Sequence, residues 1–138
     1  VWSFNHRASK FGSDVSGNTI DAINFYRDWF GGNNERCIVA GDFNNSIIWD
    51  KKGNDNNFNN INDQFVDLGF VSNYHKLKGE NFGEESSATF FHTKKESKKY
   101  HIDYIYSKNL NPLELKVGSY FEWISHSDHS PLIFECNI

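Results

Sequence analysis

The order of elements predicts an α/β (α+β) domain. Three observations carry this. A short apolar run, CIVA, follows an amphipathic helical stretch, giving strand–helix–strand order in the first forty residues. A second helical pattern closes at Gly69. Beyond it, strand-like runs follow one another, joined mostly by short polar turns.

Residues 1–5, VWSFN, read as a strand and HRASKFGSDVSG as a polar loop. Residues 18–30 read as a helix. Asn18 or Thr19 can cap it, Asp21 suits its first turn, and Gly31 and Gly32 end it. Ile20, Ile23, Tyr26, Trp29 and Phe30 supply its apolar stripe. The run at residues 37–40 is short and continuous, as in a strand buried on both faces. Residues 54–62 are rich in asparagine and read as a loop. A helix follows around Ile61, Phe65 and Leu68. FVSNY, SATFFH, HIDYIY, LELKVGSYFEWI and PLIFECNI then read as strands.

The 138 residues make one domain, with thirteen Phe, six Tyr and four Trp to fill a core. A net charge of −4 excludes a protein that coats nucleic acid by charge alone. It leaves room for an enzyme that meets phosphate through a local patch. No stretch approaches the roughly 20 apolar residues of a membrane span, and the start has no secretory pattern. A cytoplasmic protein with no membrane partner is expected. Cys37 and Cys136 lie in apolar runs and read as reduced core thiols. The chain has no methionine and opens in a strand pattern, which reads as a portion of a longer protein.

Three polar clusters interrupt the strand patterns. In GDFN, Asp42 and Asn44 lie two residues apart and project to one side if the strand continues. The carboxylate can orient or deprotonate a water, and the carboxamide can hold a polar oxygen without adding charge. An Asx turn that merely ends the strand is the alternative. In HIDYIY, alternation sets His101 and Asp103 on one face, with Ile102, Tyr104 and Tyr106 on the other. An acid among strand aromatics needs a partner, and a histidine suits it. In SHSDHSP, Asp128 is a candidate ligand for a hard cation. His129 is a candidate donor to a phosphoryl oxygen, with Asp103 orienting its ring and favouring its charged form.

A Ser-His-Asp hydrolase could be drawn from Ser127 or Ser130 with His129 and Asp103, but no G-x-S-x-G elbow is present. A zinc site could be drawn from His126, Asp128 and His129. Ile124 then stands where the metallo-β-lactamase pattern places its first histidine.

GDFN, HIDYIY and SDHSPLI, in this order and each between strand patterns, resemble the endonuclease/exonuclease/phosphatase superfamily. That group includes pancreatic deoxyribonuclease and the apurinic endonucleases. The resemblance covers only the C-terminal half of that domain. It implies half of a four-layered α/β/β/α sandwich, a mixed, mostly antiparallel sheet with flanking helices. It implies that Asp42 and Asn44 position the attacking water and the scissile phosphate. By the same resemblance, Asp128 helps hold a divalent metal, His129 contacts the phosphate and Asp103 pairs with His129. The implied reaction is hydrolysis of a phosphate ester, DNA or RNA among the substrates, with Mg²⁺ or Mn²⁺. Asn5 and His6 are candidate substrate contacts on the opening strand.

The family's principal metal ligands, an Asn and a Glu, belong to the half that has no counterpart here. Glu35, Glu80, Glu84 and Glu85 lie in polar loops and do not replace them. The expectation is a chain of weak or no activity alone, which covers its missing half by self-association. The loop KKESKK could lean on a polyanion, with Phe90, Phe91 and His92 beside it. A nuclease-like phosphodiesterase is therefore the expected function. A phosphomonoesterase or lipid phosphodiesterase, or a non-catalytic binding or assembly module, are the alternatives.

Overall fold

The computed structural model describes residues 9–11, 15–17, 19–32, 35–53 and 57–137. The fold is α+β, with helices packed on antiparallel sheets. A hairpin of β1 (Ser9–Phe11) and β2 (Val15–Gly17) leads into α1 (Thr19–Phe25) and α2 (Arg27–Phe30). Then come β3 (Cys37–Asp42), α3 (Phe58–Asp67), β4 (Val71–Ser72) and α4 (Asn73–Lys78). A hairpin of β5 (Phe90–Phe91) and β6 (Lys99–Tyr100) precedes β7 (Asp103–Lys108). The chain closes with β8 (Asn111–Val117), α5 (Tyr120–Trp123) and β9 (Leu132–Asn137).

The central strand is β7, which lies between β3 and β4 and runs antiparallel to both. Its alternation builds two cores, one on each face. Tyr104 and Tyr106 face Phe43, Phe58, Ile61, Phe65 and Phe70. Phe65 stacks on Tyr106 at 4.5 Å, and Phe43 meets Tyr104 edge-on at 5.5 Å. Each fully buried ring of this kind contributes about 2 kcal/mol. The two phenols are satisfied: Tyr104 donates to the His101 carbonyl and Tyr106 to Asn62 Oδ1. On the other face Ile105 packs with Tyr74 and Leu115, under the β8–β9 hairpin.

Several expectations are corrected. The segment read as a polar loop carries the β1–β2 hairpin. The helix over residues 18–30 breaks at Tyr26, and its stripe is only half used. Ile23 is buried, whereas Trp29 is 82% exposed. The run at residues 37–40 is not buried on both faces, because β3 pairs only with β7 among the described strands and leaves Ile38 48% exposed. The asparagine-rich stretch enters α3 at Phe58. There the Asp50 carboxylate accepts the N–H groups of Phe58 (2.6 Å) and Asn59 (3.0 Å), capping the helix from outside it.

FVSNY yields only a two-residue strand before α4. LELKVGSYFEWI breaks at Gly118 into β8 and α5. Gly69 does end the second helical pattern, at φ +84°. Cys37 and Cys136 are free and half-buried. Among the described residues no helix is long and apolar enough to cross a membrane.

Candidate active site

The β3–β7 ladder ends in a cross-strand pair of acids, Asp42 opposite Asp103. Phe43, fully buried, donates its N–H to the Ile102 carbonyl at 2.9 Å and anchors the end of β3. The chain then turns sharply: Asn44 has φ +47°, a left-handed conformation that asparagine tolerates better than most residues. Asp42 Oδ1 accepts the Asn44 N–H at 2.8 Å, and Oδ2 accepts the Asn44 amide Nδ2–H at 2.9 Å. The Asx turn is therefore present, and the same turn fixes the carboxylate at the rim. Burial raises the Asp42 carboxyl above its ordinary range. The hydrogen bond from Asn44 opposes that shift, and the Asp103 charge adds to it.

His129 reaches this rim from the segment between α5 and β9. Its Nδ1 lies 2.9 Å from Asp103 Oδ2. Its backbone N–H donates to Ser127 Oγ at 3.0 Å, and its ring rests on Phe90 with centroids 4.7 Å apart. The hydrogen bond to Asp103 pushes the imidazole above its ordinary value. Burial pulls the other way, and the Asp103, Asp42 and Asp128 charges add to the rise. With Nδ1 committed to Asp103, Nε2 is the ring nitrogen left to face a ligand. Asp128 is half-buried, and its carbonyl accepts the Phe91 N–H at 2.8 Å.

A cavity of about 470 Å³ opens beside the pair. Asp103, Ser127, His129 and Ser130 supply its polar part; Ala40, Ile105, Trp123 and Leu132 are among its apolar walls.

Thr89 is the residue that sequence reasoning missed. It is fully buried, and its Oγ1 accepts the N–H groups of both Ile102 and Asp103 at 3.0 Å. Its carbonyl accepts the Ser130 N–H at 2.8 Å. One residue thus ties, through its hydroxyl and its backbone carbonyl, the strand that carries Asp103 to the segment that carries His129. In sequence it is one β-branched residue among several, with nothing to mark it.

His101 falls before the ladder, so strand alternation does not reach it. The ladder begins only at Asp103, and His101 is buried against Tyr74 at 4.5 Å with Nδ1 2.8 Å from the Ser87 carbonyl. His126 sits on the turn after α5, its ring edge-on to Trp123. Asn5 and His6 lie outside the described residues.

The metal expectation meets a poor donor set. Among the described residues no group of three or more His, Cys, Asp or Glu is placed to hold an ion. Both oxygens of Asp42 accept hydrogen bonds from Asn44, and Asp103 is engaged by His129. Lone pairs remain on both, but Asp42, Asp103, Asp128 and His129 are not gathered as a ligand group, and one or two carboxylates are too little for a resident Mg²⁺ or Mn²⁺. The described residues do not fit such a site by themselves.

No protein-family model, curated protein or solved structure matches this chain.

Proposed function

We propose that this site serves hydrolysis of a phosphoric ester, of the diester kind that nucleases cut, as the resemblance to the endonuclease/exonuclease/phosphatase superfamily implies. The observation that carries the reading is the His129–Asp103 pair at 2.9 Å, beside the Asp42 carboxylate. Protonated His129 presents Nε2–H to a phosphoryl or leaving oxygen, and Asp103 holds the ring in that orientation. Asp42 orients a water and takes its proton as the oxygen attacks phosphorus. The ester P–O bond breaks, and the departing oxygen takes the proton of His129. A carboxyl raised by burial is a stronger base than an ordinary one, which suits Asp42 to this part. Any Mg²⁺ or Mn²⁺ would need ligands beyond the described residues, and none of these steps runs through one.

The lysines of the β5–β6 hairpin support a polyanionic diester. Lys94, Lys95, Lys98 and Lys99 are exposed, and the same hairpin carries Phe90 against His129. The free thiols of Cys37 and Cys136 suit a reducing compartment, and a cytoplasmic setting belongs to this proposal. Reaction of both thiols with a maleimide, without prior reduction of the isolated protein, tests it.

The deciding experiment gives the chain single-stranded DNA, RNA and a chromogenic phosphodiester in Mn²⁺ or Mg²⁺, and follows the His129 ring by NMR as inorganic phosphate is added. Hydrolysis that falls roughly a hundredfold in His129→Ala and in Asp42→Ala is the expected result. A chain that hydrolyses none of the three, and whose His129 ring ignores phosphate, overturns the proposal.

A second reading, a non-catalytic assembly module, is favoured by one observation. Trp29 and Phe121, exposed at 82% and 79%, are the most prominent of several large apolar side chains at the surface. Self-association would cover them. Sedimentation showing a dimer that Trp29→Ser or Phe121→Ser dissociates supports that reading, and a monomer at all concentrations sinks it.

A further inference from the structure

The cavity at the Asp103–His129 pair takes much of its wall from apolar residues, among them Ala40 and Ile105 of the sheet. We infer that this cavity binds the alcohol part of the ester, and that the substrate is a phosphate ester of a compact apolar alcohol, aromatic or branched alkyl. The inference rests on the phosphoester reading above but departs from its polyanionic substrate, because the hairpin lysines do not line the cavity.

The shape and lining argue together. About 470 Å³ admits a phosphoryl group and one ring-sized substituent. The polar groups are Asp103, Ser127, His129 and Ser130, a natural end for the phosphoryl group. The rest of the wall includes Ala40, Ile105, Trp123 and Leu132, and no lysine or arginine among the described residues lines the cavity. A continuing sugar–phosphate chain would set its next charge against this apolar wall with no cation among the described residues to meet it, at a desolvation cost. An apolar group buries its surface there at no such cost.

The test is a set of NMR titrations of the full chain with three probes: benzylphosphonate, methylphosphonate and benzyl alcohol. Benzylphosphonate is expected to bind roughly tenfold or more tightly than methylphosphonate, the scale set by burying a few apolar carbons. It should shift the His129 ring and the methyl groups of Ile105 and Leu132 together. Ala40→Leu, which fills part of the cavity, should bring the ratio of the two phosphonates toward one. Equal affinity for the two phosphonates in the unaltered chain, or Ile105 and Leu132 methyls that stay put, overturns the cavity assignment while leaving the phosphoester reading standing. Methyls that respond equally to benzyl alcohol and benzylphosphonate, with a His129 ring that responds to neither phosphonate, overturn the phosphoester reading and this substrate class with it. Silence from all three probes overturns both.

Discussion

Asp42 and Asp103 stand opposite each other across the last rung of the β3–β7 ladder, and the chain gives each carboxylate a different keeper. Asn44 holds Asp42 through two neutral donors, and His129 holds Asp103 through Nδ1. Like charges directly opposite on neighbouring strands destabilise a sheet. Here the repulsion is offset by an amide turn on one side and by an imidazole on the other. The two acids are kept differently: one is held at the rim by an amide turn, and the other is paired with a ring.

The first prediction concerns pH. The imidazole of His129 is raised in the folded chain, chiefly by its hydrogen bond to Asp103. A base whose folded value lies above its unfolded value stabilises the fold fully below the unfolded value, about 6.5, and loses that contribution as pH rises through the folded value. The His129 ring resonances should therefore titrate with a midpoint above that of an ordinary histidine. Asp103→Asn should lower the midpoint and shrink the loss of stability between pH 6 and 8. A midpoint that Asp103→Asn leaves in place would contradict the pairing.

The second concerns Asp42, whose carboxyl is raised chiefly by burial. An acid raised in the folded state favours folding below its unfolded value, near 3.9, and the benefit is lost as pH climbs through the folded value. At neutral pH the ionised group is a net burden on the fold. Asp42→Asn removes that charge and keeps one oxygen to accept the Asn44 N–H. The thermal midpoint at pH 7 should hold or rise, while any phosphoesterase activity falls roughly a hundredfold. A clear drop in the midpoint would mean that the Asn44 bonds outweigh desolvation.

What was legible at this site was the set of chemical types and their places at strand ends: Asp42, Asp103, Asp128 and His129 all break apolar patterns. Hydrophobic period carried β7, β9 and the stop at Gly69. Tertiary partners decided the rest. Asn73 begins a helix rather than extending a strand because its Nδ2 donates to the Ile105 carbonyl and its Oδ1 accepts from Ser107 Oγ, two bonds made across more than thirty residues. Residues 37–40 look doubly buried, but among the described strands β3 pairs only with β7 and Ile38 is left exposed. Trp29 fits the helical stripe by spacing alone, yet the helix breaks before it at Tyr26. The first two of these outcomes depend on partners more than thirty residues away.

Thr89 supports the third prediction. Its hydroxyl oxygen accepts two buried backbone N–H groups at the start of β7. Thr89→Val keeps the shape and removes the acceptor, and a buried unpaired donor costs about 1–3 kcal/mol. Urea unfolding should show a loss of about 2 kcal/mol or more, and Thr89→Ser should restore most of it. The Asp103 N–H is one of the two donors, so Thr89→Val should also move the His129 titration midpoint, which destabilisation at a remote site would not do. Thr89→Val with unchanged stability and an unchanged histidine midpoint refutes the role.

Gly118 packs against two residues of the cavity wall, Pro131 and Trp123, and the fourth prediction follows from how tightly it does so. A Cβ at this position would stand 2.6 Å from Pro131 Cδ and 2.7 Å from Trp123 Cδ1, distances at which something must shift. The approach is held by the Gly118 N–H, which donates to the Pro131 carbonyl at 2.9 Å and stitches the end of β8 to the segment before β9. Pro131 and Trp123 both line the cavity, so whichever yields changes its wall. Gly118→Ala should cost about 1–3 kcal/mol, the usual scale of overpacking, and should alter the Trp123 fluorescence. Trimming the ring it strikes should return part of that cost, so Gly118→Ala and Pro131→Ala should be non-additive in a double-mutant cycle. Because His129 lies two residues before Pro131, the strained wall should also lower affinity for any phosphonate bound at its ring. Strict additivity of the two substitutions would show that residues 118 and 131 do not press on each other as described.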